Sequence, residues 1–279
     1  MREIIFDSVV PALSGLSNDQ TDKPLLLALH GWLDNAASFL PLSKYLSQYH
    51  IVALDFAGHG KSAHRPAGAH YHLLDYVHDL HQVVEQQRWT SFTLLGHSMG
   101  GIIATLYAAT FPEYIEKLIT IESFGPLTKP AADAPSQLKT AIESRIANEK
   151  SDIRHPTQLE TVVSARQKAG DMSRESAQLL VSRNLDLSSE PMKWKTDRKL
   201  RTTSSLRLTE PQAEAFMSAI TCPVLTIMGT KGFDMMKKAL SERQSMVKQL
   251  KIVTCQGGHH LHMDNPLDVA EQIIYFLEQ

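Results

Sequence analysis

Six short runs dominated by Val, Ile and Leu recur along the chain, separated by segments with helical spacing. They are Pro24–His30, His50–Asp55, Phe92–Gly96, Lys117–Ile121, Pro223–Gly229 and Leu250–Thr254. Apolarity that is continuous rather than alternating suits a strand covered by helices on both faces, the situation of a central parallel strand. Strand alternating with helix then implies a doubly wound, mostly parallel sheet. Leu73–Gln87 typifies the covering helices, with Val77, Leu80, Val83 and Val84 on one stripe. A last helix is expected from near Leu267, after Pro266, to Leu277.

The rhythm fails once. From Pro126 to Ile220 the chain is polar and helix-prone and carries no comparable run. About 95 residues is too long for a simple connection. The interval is expected to be an inserted helical cap, 126–220, over the C-terminal ends of the strands, where open α/β sheets place their ligands. The core is then divided between 1–125 and 221–279. Met192–Arg201 carries five basic residues and one acid. It reads as a solvated or domain-facing surface anchored by Trp194, with a docking patch for an acidic substrate as the alternative.

Bulk properties exclude several classes. With 43% apolar and 21% charged residues, the chain can bury a large core and is no disordered polyelectrolyte. Its 28 Lys+Arg against 30 Asp+Glu create no basic field for nucleic acid or an anionic membrane. Cys222 and Cys255 lie outside any CxxC and are too few for a disulfide framework. They fit a reducing compartment, with a single bridge left open. Met1–Asp7 breaks its apolar run after three residues, and no later stretch reaches about 18. A globular, cytoplasmic protein without stable membrane insertion is expected.

The chemistry centres on Gly96-His-Ser-Met-Gly-Gly101, which follows a strand and opens the apolar helical run Ile102–Ala109. A G-x-S-x-G at such a junction holds serine on a strained turn with its hydroxyl above the sheet. Glycines at 96 and 100 let the neighbouring backbone approach. The helix start directs its positive end at the same spot, favouring developing negative charge.

These features, with His30-Gly-Trp32, Asp55–Ser62 and Gly258-His259 ahead of Pro266, resemble the α/β-hydrolase superfamily over nearly all of the chain except the cap. His30–Asn35, Asp55–Gly60 and His259–Met263 are similar to the serine hydrolase-like proteins within it. The resemblance implies an α/β-hydrolase fold, a mostly parallel central sheet flanked by helices with the inserted cap. It also implies a base in the loop after the last strand. His259, seven residues before Pro266, matches that placement, with His260 and His262 as rivals. A metal held by these three histidines is not supported by any carboxylate or cysteine spacing, and neither metal nor cofactor is expected. His70, His72, His78 and His81 read as loop and helix-surface residues. Carried over from the family, the oxyanion donors are the backbone amides of Trp32 and Met99, with His30 and Gly31 shaping the turn that presents Trp32. Asp34 is expected to cap a helix starting near Ala36.

The acid departs from the family's usual pattern. Asp is common three residues after the glycine that ends the penultimate strand, but here Gly229-Thr-Lys-Gly232 puts glycine there. Asp234 is one candidate, needing a remodelled loop. Glu122, at the family's second location after the following strand, is the other and the favoured one. Ser98 in place of a carboxylate nucleophile argues against epoxide hydrolase and dehalogenase chemistry. No Gly-x-Gly-x-x-Gly follows the first strand, so a dinucleotide is not expected. The expected function is a serine hydrolase acting on a small-molecule carboxylic ester through an acyl-enzyme. A carbon–carbon bond hydrolase with the same triad and a ligand-binding or sensing protein remain alternatives. Phe39, Phe56, Met99 and Phe124 could line a greasy pocket or belong to the core.

Overall fold

A computed structural model describes all 279 residues. The eight strands of its main sheet run in the order β1-β2-β4-β3-β5-β6-β9-β10. They are β1 (Arg2–Phe6), β2 (Leu13–Ser17), β3 (Leu25–Leu29), β4 (His50–Asp55), β5 (Phe92–His97), β6 (Ile115–Ile121), β9 (Val224–Gly229) and β10 (Leu250–Cys255). A two-stranded ribbon, β7 (Leu185–Asp186) with β8 (Lys193–Trp194), stands apart. Every one of the six expected runs is a strand, and those six pair in parallel. Helices Leu73–Gln87 and Pro266–Leu277 also fall where the apolar spacing puts them.

Two expectations need correction. β10 is the sheet edge, with Ile252 facing solvent, so it is not buried on both faces. Beyond the parallel set, β1 and β2 add an antiparallel edge. Five residues each, with Gly15 inside β2, they give too weak a pattern to stand out in the sequence.

The two faces of the sheet carry separate apolar clusters. One joins Leu27, Leu29 and Leu94 to Val83, Val84 and Tyr107 of the helices. The other joins Leu26, Ala28 and Leu95 to Val269 and Ile273 of the last helix. Alternate residues of one strand thus serve both layers, the physical reason its apolarity is continuous. Phe39, Phe56 and Phe124 lie in these clusters at 2% exposure or less, as core residues.

β3 has β4 on one side and β5 on the other, so the chain leaves it in opposite directions. The C-terminal ends of β3 and β5 are therefore the switch point at which such sheets bind ligands. Between β6 and β9 the chain is mostly helical, with helices Ala134–Lys150, Leu159–Gly170, Arg174–Asn184 and Glu210–Ser218. Val163, Ala177, Leu180 and Val181 form a small core there, which reaches Met263. Buried Arg183 bonds both carboxylate oxygens of Asp55 at the end of β4, and Glu3 of β1. Trp194 donates to the Arg154 carbonyl, while Lys199 donates to the carbonyls of Arg65, Pro66 and Ala69. Lys199 of the basic run thus faces the core of the chain, while Lys193 and Arg201 are exposed. Both cysteines are free and buried.

Candidate active site

Ser98 sits between the end of β5 and helix Met99–Thr110 at φ 51°, a left-handed conformation that a serine adopts only when its surroundings enforce it. The enforcement is local. The Ser98 amide donates to the Ile121 carbonyl at 2.9 Å. A Cβ at Gly96 or Gly100 would overlap backbone of the crossing segments. Met99 is the first residue of the helix, so its N–H lies among those a helix start leaves without an intrahelical partner.

Beside it, the loop after β3 turns at Gly31–Asp34. Asp34 donates to the Gly31 carbonyl at 3.1 Å, and Leu33 takes φ 62°. The turn's own hydrogen bond therefore uses the Asp34 amide and not that of Trp32. His30 is buried and anchors the loop, its Nε2 accepting from the Phe56 amide at 3.0 Å and its Nδ1 donating to the Gly31 carbonyl. Burial lowers its pKa to about 4, so the ring is neutral. The Trp32 indole is half exposed and donates to the Leu200 carbonyl, joining this loop to the insertion. Asp34 is not the helix cap. Asn35 accepts from the Ala37 amide in that role, and Asp55 accepts from Ala36.

His259 lies in the loop after β10. Its Nδ1 is 3.3 Å from Glu122 Oε2, its one side-chain hydrogen bond, which leaves Nε2 unengaged and the Ser98 hydroxyl not yet bonded to it. Burial lowers the His259 pKa below its ordinary value, against the opposing pull of Glu122. Phe233 stacks over the ring at 4.3 Å between centroids. Glu122 itself is fully buried at φ 49° and is clamped by the amides of Gly229 (2.6 Å) and Phe233 (3.2 Å). Asp234 is elsewhere: its carboxylate is 99% exposed beside Lys237. Of the two candidate acids, Glu122 meets the imidazole.

His97, the residue before Ser98, bonds the His259 carbonyl at 2.8 Å through Nε2, so the His259 loop is pinned to the nucleophile turn. The rivals of His259 are committed away from it. His260 faces Asp34, and His262 is wholly buried against His97 and Phe39. Sequence reasoning missed Phe233, Arg166 and the part played by His97. None belongs to a local motif that assigns it a partner.

These features define an α/β hydrolase, and residues 24–266 match the α/β hydrolase fold family, to which the chain belongs. It is 32% identical over 270 residues to a serine hydrolase-like protein of Dictyostelium discoideum, covering 90% of this chain and 74% of that one. The solved structure of a hypothetical protein from Pseudomonas aeruginosa superposes with a TM-score of 0.91 at 37% identity, covering both chains fully. A thioesterase domain from the curacin biosynthetic pathway gives 0.83 at 25% identity, covering 98% of this chain and 99% of that domain.

Proposed function

We propose that this chain is a serine hydrolase cleaving carboxylic esters, with Ser98 as nucleophile, His259 as base and Glu122 as acid. The observation that carries it is the buried Glu122–His259 contact, made by a loop pinned through the His259 carbonyl to His97, the residue before Ser98. Glu122 accepts a hydrogen bond from the Nδ1–H and fixes the tautomer, so Nε2 takes the Ser98 proton as the hydroxyl attacks the acyl carbon. The amides of Trp32 and Met99 receive the oxyanion. The imidazolium returns its proton to the leaving alcohol, and a water activated by His259 then releases the acid.

Half-exposed Trp32 and Phe233 beside the site favour an apolar acyl group of small or medium size. Kinship to a thioesterase domain supports acyl transfer over carbon–carbon cleavage. The binding-protein alternative draws on glycine at position 232 and on the helical cap, and the Glu122–His259 contact speaks against the first of these. Residues 126–220 act as a cap over this site, and the free cysteines suit the cytoplasm.

Short p-nitrophenyl esters and a fluorophosphonate probe test this reading. Turnover and labelling are expected in the wild type and lost in Ser98→Ala. Equal rates in the two proteins would refute the assignment.

A further inference from the structure

Behind the nucleophile turn, three side chains from distant parts of the chain converge: Asp34, His97 and His260, at 1%, 0% and 5% exposure. Their candidate donor atoms all lie within 4.8 Å of one another. We propose that they form a binding site for a divalent transition cation of the zinc type.

Hydrogen bonding assigns the ring nitrogens. His97 Nε2 is 2.8 Å from the His259 carbonyl, and His260 Nδ1 is 3.1 Å from the Gly170 carbonyl. A carbonyl only accepts, so each of those nitrogens carries the hydrogen. In neutral rings the opposite nitrogens, His97 Nδ1 and His260 Nε2, then present lone pairs. These lie 3.6 and 3.3 Å from one carboxylate oxygen, Asp34 Oδ2. His97 Nδ1 is buried with no hydrogen-bond partner. A ring nitrogen facing a carboxylate oxygen away from water calls for a positive charge between them, a ring proton or a metal ion, and metal titration distinguishes the two.

The two nitrogen–oxygen spacings are close to those of a metal site, while the two ring nitrogens, within 4.8 Å of one another, draw together on binding. A tetrahedral zinc-type ion with donors about 2.0 Å away holds them about 3.3 Å apart. Two imidazoles and a carboxylate are a donor set that borderline divalent cations accept. The surroundings match as well. Both histidines are oriented by backbone carbonyls, and Asp34 Oδ1 accepts from Arg166, the outer bonding that positions metal ligands. Arg166 also opposes the cation, because its Nη2 is 3.5 Å from His260 Nε2. The carboxylate and guanidinium charges cancel, so the affinity is moderate. Spacing along the sequence could not reveal this set, since only His260 belongs to the histidine cluster near the C-terminus. The site does not depend on the ester reading, although a bound cation would join the neighbours of Ser98 and His259.

The test is titration of the full chain with Co2+, followed by visible absorption, and with Zn2+ by calorimetry. One Co2+ per chain, with the absorption of a nitrogen- and oxygen-ligated ion and displaced by Zn2+, is expected. Asp34→Asn and His260→Gln should each weaken binding roughly tenfold or more. Arg166→Gln should tighten it, which keeps the test decisive even if the buried variants fail to fold. Absence of the Co2+ spectrum, binding indifferent to Asp34→Asn and His260→Gln, or no tightening in Arg166→Gln would overturn the proposal.

Discussion

Glu122 occupies the space that a side chain at Gly232 would need: a Cβ built at Gly232 overlaps the Glu122 carboxylate. Glycine at 232 and glutamate at 122 are therefore one arrangement. The absence of Asp at 232 makes room for an acid delivered from the end of β6.

This relationship gives a first prediction. Gly232→Ala should lower kcat on the order of tenfold or more by displacing Glu122, with the fold retained because position 232 is in a loop. The double variant Glu122→Ser/Gly232→Asp should be more active than Gly232→Asp alone, since the second carboxylate then has the space to itself. Steady-state kinetics with circular dichroism as a folding control checks both. Equal activity of Gly232→Asp and the double variant would contradict the shared-space argument.

The two candidate acids separate cleanly. Glu122→Gln should reduce kcat by roughly 10³- to 10⁴-fold, because the imidazole loses the partner that fixes its tautomer and stabilises its charge. Asp234→Asn should leave kcat within about twofold, its carboxylate being in solvent beside Lys237. The reverse ranking would return the role to Asp234.

The pH profile follows from the burial of His259. Desolvation favours the neutral ring and outweighs the pull of Glu122, so the pKa lies below the ordinary 6.5. A base must be neutral to accept a proton, so kcat/KM should fall with acid only below that value. Glu122→Gln removes an anion that favours the imidazolium and should move the acidic limb lower still. A wild-type limb above 6.5 would argue that another group controls the rate.

Arg183 ties the insertion to the sheet through Asp55, with both side chains buried. Arg183→Ala leaves the Asp55 carboxylate without its cation and should destabilise by about 3–5 kcal/mol. Thermal denaturation should show a Tm lower by several degrees, whereas Lys238→Ala, on an exposed pair, should change it little. Matching Tm values for the two variants would deny the Arg183–Asp55 link a structural role.

The sequence by itself determined what short-range physics controls. Continuous apolarity marks the parallel strands because all but the edge strand β10 are covered on both faces, and glycines flanking Ser98 mark the elbow because only glycine permits the backbone crossings there. The loop partners were decided by tertiary structure alone. Glu122 rather than Asp234 meets His259 because of the path of the chain after β9, and Asp34, His97 and His260 meet because the end of β5 and the loops after β3 and β10 lie at one end of the sheet. Such contacts join residues far apart in sequence, and packing sets a loop's course where no periodicity records it.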